Sequence, residues 1–92
     1  MRYRLIVGPE ISRAVGGFGL EREALLRVFD LLRQELEERA DNYRQQRDPA
    51  HPDLYFRFEL TVWDHERPRG FRFTVDDARA PGHLFVVAAE EV

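Results

Sequence analysis

Between positions 54 and 64 the chain alternates apolar and polar residues without a break, LYFRFELTVWD, and after the segment HERPRG it alternates again, FRFTVDD. A period of two places successive side chains on opposite faces of an extended chain. Leu54, Phe56, Phe58, Leu60 and Val62 therefore share one face, and Tyr55, Arg57, Glu59, Thr61 and Trp63 the other. In the second run Phe71, Phe73 and Val75 point inward while Arg72, Thr74 and Asp76 point outward. Two such runs joined by a Pro/Gly segment predict an antiparallel hairpin, with Arg67 and Arg69 in its loop. DARAPG predicts a further turn. HLFVVAA is more continuously apolar, which predicts an inner strand covered on both faces.

The first half supplies what covers the apolar face. RYRLIVG alternates, with Tyr3, Leu5 and Val7 on one side and Arg2, Arg4 and Ile6 on the other, so a short strand opens the chain. Pro9 opens a short helix carrying Ile11, Ala14 and Val15 as an apolar stripe. From about Glu21 to Tyr43 a longer helix is predicted, with Leu25, Val28, Phe29, Leu32, Leu36, Ala40 and Tyr43 on one face. Glu23–Arg27 and Glu35–Arg39 stand at the favourable acid-first i,i+4 spacing on the solvated face. RQQRDPAHPD ends it in a loop. The order is β-α-α-β-β-β. This is an α+β domain spanning 1–92, with a helical hairpin packed on one face of a small, mainly antiparallel four-stranded sheet.

The helices meet at AVGGFG. Gly16, Gly17 and Gly19 follow a helix rather than a strand, match no phosphate-loop spacing, and have no lysine beside them. They read as the joint of an αα-hairpin, where Gly16 or Gly17 takes a left-handed cap and Phe18 and Leu20 enter the core.

At 92 residues with a net charge of −3 the chain is one small domain, less basic than most nucleic-acid binders. All fourteen basic residues are arginine. That composition reads either as a GC-rich coding bias or as a choice for bidentate recognition of carboxylate and phosphate. No apolar run reaches the length of a secretion signal or a membrane span, and the absence of cysteine removes disulfides and thiol chemistry. A cytoplasmic protein without membrane contact is expected.

Catalytic motifs are scarce. His51, His65 and His83 fall in loops or at strand edges without metal-ligand spacing, so neither a metal nor another cofactor is expected. Ser12 is the sole serine and lies in a helix, which leaves no serine triad. Asp76 and Asp77 point to opposite faces and read as turn initiators, and Glu90–Glu91 as a solvated terminus. The outward sheet face is different. It gathers Arg57, Tyr55 and Arg72, with Arg4 from the first strand, Arg67 and Arg69 from the hairpin, and Trp63. Cations edged by aromatic rings suit an RNA backbone or a partner protein. Cross-strand pairing of Arg57 and Arg72 with Glu59 and Asp76 is the other reading.

A short strand, two helices joined at a glycine corner and three strands, with Arg57 in YFRFEL and Arg72 in FRFTVDD, resembles the RelE/ParE toxin superfamily. The resemblance implies a toxin-type protein of a toxin–antitoxin module, neutralised by an antitoxin laid over its sheet or helix groove. It further implies, in RNA-cleaving members, a metal-independent endoribonuclease acting on ribosome-bound mRNA, with Arg57 and Arg72 at the catalytic positions to stabilise a phosphorane-like transition state. This chain departs from those members in its last strand, HLFVVAAEEV, which has no arginine and ends acidic. Relative to them the catalytic set is incomplete. The contrasting expectation is a non-enzymatic interaction or regulatory domain, with homodimerisation through a strand edge or the helical hairpin.

Overall fold

The computed structural model describes residues 2–92. Its elements are β1 (Arg4–Val7), α1 (Pro9–Gly16), α2 (Arg22–Arg39) with a 3-10 turn over Ala40–Asn42, β2 (Tyr55–Asp64), β3 (Arg67–Asp76) and β4 (His83–Glu91). They form an α+β domain with the element order read from the sequence.

The sheet runs β1-β4-β3-β2. The helices carry the chain across one face, from the β1 edge to the β2 edge. The β2-β3-β4 meander then returns, and β4 arrives parallel to β1 while the other two pairings are antiparallel. The sheet is therefore mixed, because a helical crossover lets its flanking strand pair in parallel.

One face of the sheet and one stripe of each helix make the core. Val15, Val28, Leu32 and Leu36 meet Phe56, Phe71, Phe73, Val75 and Leu84, all fully buried. Phe18 stacks on Phe71 at 4.8 Å between centroids, and Tyr43 meets Phe58 edge-on at 4.7 Å. The glycine corner thus delivers Phe18 to the core as expected.

Five local expectations are corrected. Leu54 lies before β2 and is exposed, because it belongs to the turn before the strand, its N–H donating to His51 O (3.1 Å). The hairpin loop is only His65 and Glu66, both at positive φ (49° and 64°), so Arg67 and Arg69 belong to β3 rather than to a loop. Two residues at positive φ make a tight turn whose twist matches the strands. The left-handed glycine of the helical corner is Gly19 (φ 76°), whereas Gly17 caps α1 in right-handed conformation (φ −76°). β4 is an inner strand, but only its helix-side residues Leu84 and Val86 are buried, since no described helix or strand layers over the other face. Finally, Glu90 and Glu91 are not simply solvated.

The last correction comes from a β-bulge. Thr74 pairs with Ala88 but Val75 with Val86, so Val87 is an extra residue in β4. Leu84 and Val86 face the helices before it, and Ala89 packs against the core after it. A one-residue insertion inverts the facing of everything beyond it. Glu91 is turned to the helix side and Glu90 to the open side, and each meets an arginine there.

Candidate functional site: the open face of the sheet

Arg57 on β2 and Arg72 on β3 share the open face. Arg57 lies opposite Thr74 and Arg72 opposite Glu59, so the two are diagonal neighbours in the ladder. Together with Gln46, Arg47, Pro49 and Glu59 they line a shallow depression of about 250 Å³. Arg47 was not singled out from the sequence. It arrives because residues 46–48 run beside the start of β2, with the Arg57 N–H donating to Gln46 O (2.8 Å) and the Asp48 N–H to Tyr55 O (3.0 Å).

Each of these cations is already held by carboxylates. Arg72 Nη1 donates to Glu90 Oε1 at 3.2 Å, and its Nε lies 3.5 Å from Glu59 Oε2. Arg57 Nη2 donates to Asp48 Oδ1 at 3.4 Å, while its Nε is buried with no hydrogen-bond partner among the described residues. Arg47 clasps Asp77 with Nη1 and Nη2 at 2.9 and 3.1 Å. The expected Arg72–Glu59 pair is present. Arg57, however, takes Asp48 instead of Asp76, because Asp76 turns its Oδ1 to the Ala78 and Arg79 N–H groups and starts the β3–β4 turn.

The remaining expected residues are spread out. Tyr55 stands at the same end as Arg57, its ring against His51 at 5.4 Å. Trp63 lies six residues along β2, roughly 20 Å away, and is 68% exposed. Arg4 is on β1, at the opposite edge of the sheet from β2, roughly 14 Å from the Arg57 strand. Arg67 is exposed at the hairpin end. Arg69 pairs with Val62, a helix-side residue, and so sits on the covered layer, not the open face.

There Arg69 forms the centre of a lock. Nε and Nη2 clasp both oxygens of Glu91 (2.9 and 2.7 Å), Nη1 donates to Asp64 Oδ2 (3.2 Å), and Nη2 to Phe18 O (2.6 Å). These bonds raise the Arg69 pKa and lower that of Glu91. Asp64 Oδ1 accepts the Glu21 N–H at 3.0 Å, which with Arg69 holds the Asp64 carboxyl below its usual range. A second lock closes the other end. Asp77 receives Arg47 and also Arg44 Nε (2.9 Å). Arg44 Nη1 donates to Tyr3 Oη (2.9 Å), whose hydroxyl donates to Asp41 Oδ1 (2.7 Å). Burial alone would raise the Asp77 pKa, but the bonds from Arg47 and Arg44 outweigh it and keep the carboxylate ionised.

Glu21, Asp64 and His65 bring one potential ligand atom each within 4.8 Å of one another. Both Asp64 oxygens are already bonded, one of them to a guanidinium, so that cluster offers a cation little. Among the described residues no helix is long and apolar enough to cross a membrane.

Against family models, curated proteins and solved structures, the chain matches none.

Proposed function

We propose that this domain acts by binding a protein across the open face of its sheet, as a non-catalytic relative in form of RelE/ParE toxins, with an antitoxin-like chain as the partner. The observation that carries this reading is the pairing of Arg57 with Asp48 and of Arg72 with Glu59 and Glu90. A phosphoryl-transfer site needs cations free to meet developing negative charge. Here that charge is answered from within the domain, and Glu59 and Glu90 add repulsion toward RNA. A toxin-type module of this kind would work in the cytoplasm, at the ribosome or another target.

Inducible expression in bacteria tests it. The expected result is no growth arrest and no cleavage of ribosome-bound message. Arrest that Arg57→Ala with Arg72→Ala abolishes would establish the catalytic reading instead. RNA binding without cleavage is a second reading, favoured by the convergence of Arg47, Arg57 and Arg72 on one depression. It requires an affinity that falls steeply with salt.

A further inference from the structure

The free edge of β2 is treated differently along its length. Arg57 and Tyr55 use their outward backbone groups on the 46–48 segment. Backbone groups alternate direction along an antiparallel strand. Glu59, Thr61 and Trp63 therefore also point their N–H and C=O away from β3. Among the described residues no backbone bond reaches them. From Phe58 to Asp64 the edge has no proline and no bulge, two of the devices that block strand pairing; its charges are Glu59 on the open face and Asp64 on the helix side. Beside it runs a groove of about 400 Å³ between α2 and β2, lined by Ala24, Leu31, Val62 and Trp63 with Glu23 and Arg27.

We propose that this edge pairs with the same edge of a second copy, about a two-fold axis at Thr61, to give one continuous eight-stranded sheet. The bare stretch Phe58–Asp64 is itself centred on Thr61. In this register Thr61 faces Thr61 and Glu59 faces Trp63 of the other copy, so all three outward residues are used and no like charges are opposed. Shifting the register by two in one direction drives Trp63 against the covered Arg57; in the other it drives Glu59 against the turn. On the helix side Leu60 meets Val62, which continues the core across the axis. The two grooves join, and each presents both an acid and a base one helical turn apart. A second copy suits this edge because the matching surface is self-complementary, as a two-fold interface requires. The inference concerns the edge, not the open face, and stands whether or not a partner protein binds there.

Sedimentation equilibrium of the full chain tests it. A reversible dimer is expected, and the chain's single tryptophan, Trp63, shifts its emission to the blue as the dimer fills. Thr61→Lys sets two ammonium groups on the axis while keeping a solvent-exposed position. It should weaken association by roughly tenfold or more without changing the circular dichroism. A wild-type chain monomeric at hundreds of micromolar overturns the proposal and leaves the edge to a different chain. A dimer that Thr61→Lys leaves intact overturns it equally.

Discussion

Asp64 Oδ1, on the last residue of β2, accepts the backbone N–H of Glu21 at 3.0 Å, so a strand carboxylate caps the start of α2. The N-cap residue Glu21 makes no side-chain cap of its own. The helix therefore depends on a residue 43 positions away for its N-cap N–H, a bond that a Glu or Gln at N3 supplies in a capping box and that Ala24, at N3 here, cannot. Asp64→Ala should lower Tm by roughly 4–8 °C, and Asp64→Asn by less, because the amide oxygen still accepts. Thermal melts of the two variants check this; equal Tm values would remove the capping role.

Asp77 binds two guanidinium groups while its side chain is only 5% exposed. Removing it strands Arg44 and Arg47, which are themselves 40% and 30% exposed and so partly compensated by water. Asp77→Ala should cost about 2 kcal/mol, short of the penalty for a fully buried pair. Denaturant titration measures it.

Stability should fall in acid. The carboxyls of Asp41, Asp64, Asp77 and Glu91 are all held below their ordinary values of 3.8 for Asp and 4.5 for Glu. Depressed folded-state values mean that the unfolded chain binds protons first as pH drops. Their contribution is complete above about pH 5 and lost as pH falls through the folded values. Unfolding followed between pH 7 and pH 2 should show Cm dropping below pH 5, less steeply in Asp77→Asn.

The turns separate conformation from packing. A Cβ at Gly19 would meet nothing within 4 Å, yet its φ of 76° makes Gly19→Ala cost about 1 kcal/mol. Glu66, at φ 64°, is the reverse case: Glu66→Gly should stabilise the hairpin by about 0.5–1 kcal/mol. Opposite shifts in Cm for the two variants are expected.

Glu59 and Glu90 quench Arg72. Glu59→Gln with Glu90→Gln should therefore raise affinity for single-stranded RNA and steepen its salt dependence by about one counterion. Filter binding at several salt concentrations tests it. An unchanged affinity would mean that the acidic partners do not govern how this face meets nucleic acid.

Much of the fold was legible in the alternation of residues 55–64 and 71–76 and in the helical stripe from Leu25 to Leu36, because those periods report which side chains leave water. The same reasoning placed Arg57 and Arg72 on one face. It could not place Arg69 and Glu91 correctly. Arg69 was hidden by the short turn, since HERPRG reads as a loop when the residues at positive φ are His and Glu rather than Asn and Gly. Glu91 was hidden by the bulge at Val87, which no change in apolar pattern announces.

Local periodicity determined the elements, their order and the covered face, since burial of apolar area depends only on spacing along the chain. Tertiary structure alone decided that Arg57 meets Asp48 and Arg69 meets Asp64 and Glu91, that β1 pairs in parallel, and which strand is left with a bare edge. These depend on chain crossings and on register, where a single inserted residue reverses a face, and no local pattern of side chains encodes that.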